Sequence, residues 1–173
     1  MGKKRFWSWV LGLVVAGLIV SHVRWIELDG RHLVDIDGRK VDLAGMIQDQ
    51  LTAMTRNCQA VTRWEPDDAD YLSALNVIRH YSLPQSATGR IISAWSSADW
   101  MLIEVEFTDL LPAVVTLHKE RGELHIVPHA VWSGSIHPWR AAPWIRDYIA
   151  RQASGIPPHL LACFEPQSPF FKA

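Results

Sequence analysis

The chain has 173 residues and a mass of 19.6 kDa, enough for one domain of ordinary size that buries roughly two-thirds of its unfolded surface. With 49% hydrophobic and 20% charged residues, 10 Gly and 10 Pro, it is neither a disordered polar polymer nor collagen-like, and two cysteines exclude a disulfide-dense mini-scaffold or a zinc finger. A net charge of -1 and a pI near 6.7 lack the basic field that most nucleic-acid binders carry, so no nucleic-acid partner is expected.

The charge is unevenly placed. Lys3, Lys4 and Arg5 precede every acid, and all 18 acidic residues lie from Glu27 onward. Between them Phe6 to Val23 carries no full charge, and as a helix it would be ~27 Å long, close to the ~30 Å hydrocarbon thickness of a bilayer. Trp7, Trp9 and Trp25 flank this run, as interfacial anchors do. Residues 1–5 are therefore expected as a cytoplasmic basic stub, 6–23 as a single transmembrane anchor and 24–173 as a periplasmic domain, by the positive-inside rule. Leu18-Ile19-Val20-Ser21-His22-Val23 offers no A-x-A pattern, which favours a retained anchor over a cleaved signal peptide. In an oxidising compartment Cys58 and Cys163 are expected to pair, closing a loop of about 105 residues that contributes up to ~4.7 kcal/mol.

Along the exported part, His32 to Ile36 and Lys40 to Leu43 alternate around Asp37-Gly38, a tight-hairpin signal, and Asp29-Gly30 offers an earlier turn. Met46, Ile47, Leu51 and Met54 then recur at helical spacing, predicting an amphipathic helix with this stripe inward. After Trp64-Glu65-Pro66, Asp67 is a natural N-cap for a second helix carrying Tyr71, Leu72, Leu75, Ile78 and Tyr81 on one side. Four strands follow, over 89–96, 100–108, 113–119 and 123–132, joined by connections short enough to require antiparallel neighbours. In the second of these, Met101, Ile103, Val105 and Phe107 face one way, and Trp100, Leu102, Glu104 and Glu106 the other. The acidic end of that second face predicts a sheet covered on one side only. A helix over about 142–152, a short helix over 158–163 and an irregular tail close the chain. The fold class is α+β: an antiparallel four- to five-stranded sheet packed on helices, an order compatible with a curved-sheet cone.

Chemical signatures are sparse. A four-residue connection over 119–122 would pair Leu117 with Leu124 and place Thr116, His118, Glu123, His125 and His129 on one face, the basis of a metal-assisted hydrolase reading. His125 and His129, however, are ~13 Å apart on a regular strand, too far to share one ion. Ser133-Gly134-Ser135 beside His137 lacks the turn of a nucleophile elbow. Asp67, Asp68 and Asp70 lack the glycine and terminal glutamate of a calcium loop. Glu104 and Glu106 have the spacing of paired carboxylates, a pattern also shown by any solvated strand face. No catalytic, cofactor or metal residue is assigned.

The most distinctive segment is Trp132 to Trp144, where Trp132, His137, Trp139, Arg140 and Trp144 gather with Pro138 and Pro143. Trp and Arg dominate protein interfaces, and prolines reduce the entropy lost on docking. These five residues form the expected partner-binding set. The expectation is a single-pass inner-membrane accessory protein that binds another envelope protein in an assembly, secretion, inhibitory or immunity role, with no cofactor. The competing readings are the hydrolase and a small-molecule or glycan sensor built on the Trp-rich loop.

Overall fold

The computed structural model describes residues 17, 21–28, 30–134 and 141–171. Among them no helix is long and apolar enough to cross a membrane. Most of the expected anchor lies outside the described residues. Its last residue, Val23, is the first residue of a strand, so the apolar run and the strand overlap by one position.

Two compact units divide at Ala44. The first contains a three-stranded antiparallel meander, β1 (Val23–Leu28), β2 (Arg31–Ile36) and β3 (Arg39–Val41). Ile36 pairs with Arg39 across Asp37-Gly38, whose φ angles of 52° and 83° are those of a type I′ turn. Glycine adopts that conformation without strain and Asp tolerates it. Leu28 pairs with Arg31 and Gly30 has a φ of 75°, so the chain reverses between these two strands as well.

The second unit, Gly45–Ala173, contains nearly all of α1 (Leu43–Thr55), then β4 (Thr62–Arg63), α2 (Ala69–Tyr81), β5 (Arg90–Ser97), β6 (Trp100–Glu106), β7 (Ala113–Glu120), β8 (Glu123–Ser133), α3 (Ala141–Gln152) and α4 (Pro158–Cys163). The sheet is antiparallel in the order β4-β5-β6-β7-β8 and does not close into a barrel. The capping aspartate of α2 is Asp68 rather than Asp67. Its carboxylate accepts from the Glu65 amide at 2.8 Å, tightening the preceding turn instead of bonding into the helix. Asp70 pairs with Lys119 of β7 at 2.9 Å, and Arg79 donates to the Gly89 carbonyl. Burial pushes the Tyr71 hydroxyl pKa up, and this group donates to the Ile91 carbonyl.

Both faces of the sheet are covered, contrary to the expectation of a solvated acidic face. On one, Ala74 and Ile78 of α2 pack against Ile91, Met101, Ile103, Val105, Val115 and Leu117. On the other, Leu102 and Val114 pack against Ile145 and Ile149 of α3, Leu160 of α4, and Phe164. Complete burial of side chains such as Ile145, Leu160 and Phe164 contributes ~1.5–3 kcal/mol each. Glu104 lies in the middle of this second face and is 0% exposed. It accepts from the Ser93 hydroxyl at 2.9 Å, the Gln167 amide at 2.7 Å and the Ser168 amide at 2.7 Å. Glu106, beside it, accepts from the Ser168 hydroxyl and from Arg90. The alternating acids are therefore not a solvated edge: Glu104 binds two backbone amides of the C-terminal tail and Glu106 the Ser168 hydroxyl, laying the tail over the sheet.

Glu104→Gln keeps the shape but turns an NH2 group toward donors. With up to three charge-assisted bonds affected, the fold should lose about 2–3 kcal/mol, read as a lowered urea midpoint with unchanged slope. A loss below about 0.5 kcal/mol would show that Glu104 does not hold the tail.

Candidate functional site: an inward polar clamp and an outward apolar stripe

The periodicity of α1 is as read, but its direction is reversed. Gly45, Asp49, Thr52 and Arg56 form one side of the segment at helical spacing; Leu43, Ile47, Leu51 and Met54 form the opposite side. Gly45 and Asp49 are buried, whereas Ile47, Leu51 and Met54 are 63%, 57% and 78% exposed.

The cause lies on α3. Arg146 is almost wholly buried and donates to Asp49 at 3.0 Å, to Glu165 at 3.1 Å and to the Phe164 carbonyl at 3.3 Å. Arg56, just past the end of α1, joins at 2.6 Å to the same Glu165 oxygen. Two residues on, Cys58 forms the expected disulfide with Cys163, Cα atoms 5.7 Å apart, within ordinary disulfide reach. Two arginines, two carboxylates and one covalent bond thus fasten α1 to α3 and the tail along its polar side. A buried guanidinium left without partners is strongly destabilising, so Asp49 must face inward and the apolar residues must face out.

The other candidate residues are dispersed. Trp144 is 5% exposed in the first turn of α3 and belongs to the interior. Trp132, half-buried at the end of β8, meets Tyr148 edge-on at 5.4 Å between ring centres and packs on the α3 side of the core. These two rings pack in the seam between α3 and the sheet. His137, Trp139 and Arg140 lie outside the described residues, as do Ser135 and the end of the Ser/His arrangement.

The histidine face is partly assembled. The β7–β8 turn is the two-residue Arg121-Gly122, with φ of 53° and 89°, so His118 pairs with His125 and Leu117 with Ile126. The register differs from the sequence reading by two residues, a shift that preserves which side chains share a face. Thr116, His118 and His125 do share one, but Thr116 is fully buried in the core. His118 stacks on Trp100 at 4.4 Å and contacts Glu120 at 3.2 Å. Beyond Ile126 the ladder is interrupted: Val115 faces Val131, so three residues are thrown out of β8. His129, with φ of 65°, leaves the face there, and its carbonyl accepts from the Tyr148 hydroxyl. Among the described residues no three His, Cys, Asp or Glu side chains gather to hold a metal ion.

Sequence reasoning missed Asp49 and Arg146, which are separated by 97 residues. The available signal was one acid placed midway along the otherwise uncharged α1. Arg146→Ala should destabilise the fold by about 3–5 kcal/mol in chemical denaturation, since it leaves Asp49 buried beside an empty site. The double variant Asp49→Leu/Arg146→Met should recover a large part of that loss; equal instability of single and double variants would contradict the pairing. No protein-family model matches this chain, and no curated protein and no solved structure matches it.

Proposed function

We propose that this chain is a membrane-anchored accessory protein of the bacterial envelope, with residues 1–5 in the cytoplasm, 6–23 in the inner membrane and a periplasmic domain that binds another envelope protein. The Cys58–Cys163 bridge supports an oxidising compartment, and the cations ahead of the apolar run support the orientation. We also read the five-stranded sheet as a cone curved around α2, bent by the interruptions near Ser93 and beyond Ile126.

The observation that carries the binding role is the outward stripe Ile47, Leu51 and Met54. Contiguous exposed apolar side chains on a helix held rigidly from behind make a preformed docking ridge of the helix-in-groove type. The partner is a protein with an apolar groove rather than a lipid surface, because α1 carries no Lys or Arg to meet anionic headgroups. Flexible Met54 suits the centre of such a contact, adapting its shape at little cost.

A photo-crosslinking amino acid placed in living cells at position 54 or 51 should give one discrete adduct, and the same group at exposed Asn76 of α2 should give none. Ile47→Asp should abolish the adduct while the disulfide still forms. Equal labelling from positions 54 and 76, or none from 54, would contradict the proposal. In the same cells an alkaline phosphatase fused to the C-terminus should be active; an inactive, stably expressed fusion would reverse the orientation.

A further inference from the structure

A second apolar feature lies on the opposite side of the sheet from α3. Where α2 ends, Ile78 packs on the strands but Tyr81 is exposed, and between these two residues and Phe107, Val115, Ile126 and Val131 lies a cavity of about 450 Å³. Three local causes keep it open. The interruption of β8 parts Ile126 from Val131, so the wall is splayed where an unbroken strand would close it. Ala113 pairs with Ser133 at its end, and two small side chains there leave the space unfilled. The chain after Tyr81 turns away through a one-turn 3-10 helix, Gln85–Thr88, instead of continuing α2 across the sheet.

We propose that this cavity binds a single aliphatic chain whose polar end is uncharged or cationic. Its volume is toward the low end of the ~300–1,000 Å³ typical of ligand pockets, which favours one chain over a two-chain lipid. The wall is almost wholly hydrocarbon, with hydroxyls of Ser82, Ser86 and Ser133 among the lining groups. Tyr81, Leu110 and Leu111 are exposed beside it and extend the apolar surface outward. Asp109 is the only acidic or basic side chain among the described lining residues. A carboxylate or phosphate end would meet Asp109 with like charge and no compensating cation, whereas an amine would be attracted and a hydroxyl would be indifferent. Charge complementarity therefore disfavours free fatty acids and favours alkylamines or fatty alcohols. Nothing in this depends on the α1 docking ridge, which lies elsewhere on the unit.

The test is photoaffinity labelling of the full chain with a diazirine-bearing decylamine, mapped by peptide mass spectrometry, a readout that survives detergent or lipid in the sample. Label is expected in the peptides spanning 78–82, 107–115 and 126–133. Decylamine and 1-decanol should compete about tenfold better than decanoate, and Asp109→Asn should narrow that gap to about twofold. Ala113→Leu should remove the label by filling the cavity. Ser133→Leu, which changes an exposed rim position, should do the same if Ala113→Leu fails to fold. Label spread over other surfaces, label that persists in a folded filled variant, or decanoate competing as well as decylamine against unaltered Asp109 would each overturn the proposal.

Discussion

The buried guanidinium of Arg146 sets the arrangement of the second unit. It reaches Asp49 in α1 and, more than a hundred residues on, the adjacent Phe164 carbonyl and Glu165 carboxylate in the tail, and each helps to neutralise or solvate a charge withdrawn from water. Glu104 performs the matching task from the sheet, with no cation of its own and two tail amides as donors. Between these two anchors residues 164–168 have little freedom. The disulfide, one residue before Phe164, also restricts the unfolded chain by closing a loop of 105 residues. Apolar burial alone would turn Ile47, Leu51 and Met54 inward, at ~1.5–3 kcal/mol each for full burial. Turning α1 over would take Asp49 away from Arg146 and pull on a covalent bond, and the clamp and the disulfide together oppose that rotation.

This inversion explains which parts of the structure were legible in the sequence. Turns chosen by local conformational strain were legible: Asp37-Gly38 and Arg121-Gly122 adopt positive φ, and the strands they join follow. The β6 alternation was legible too, because Met101, Ile103 and Val105 do face α2. The disulfide followed from compartment and cysteine count. What failed was the step from pattern to environment. Apolar periodicity identifies a face without saying whether that face is core or docking surface, and the deciding residue, Arg146, is remote from α1. Likewise Glu104 and Glu106 looked solvated because two backbone amides that satisfy Glu104 come from a tail with no recognisable periodicity. Trp144 looked available because enrichment in Trp and Arg is shared by interfaces and by seams between layers.

The candidate site changed character for the same reason. The residues with chemical potential are engaged in holding elements together: Glu104 and Glu106 hold the tail, Asp70 pairs with Lys119, and His159 bonds Ser97 across from α4 to β5. Two apolar features remain exposed, a ridge on α1 and a cavity beside α2, and they occupy different elements, so the protein partner and the small apolar ligand proposed for them need not compete for one surface. A rigid disulfide-braced scaffold suits such a role, since preorganised surfaces lose less entropy on binding.

Methionine oxidation distinguishes the two orientations of α1 directly, because the chain carries an internal standard. Met54 is 78% exposed and Met101 is 3% exposed in the α2-facing core. Under mild hydrogen peroxide the oxidised, disulfide-intact protein should gain sulfoxide at Met54 first, at least ~10-fold faster than at Met101, with a circular dichroism spectrum unchanged at the point of single oxidation. Protection of Met54 to the level of Met101 in the isolated full-length chain would mean that the stripe is packed inward, and the clamp on Asp49 would then not be the interaction that orients the helix.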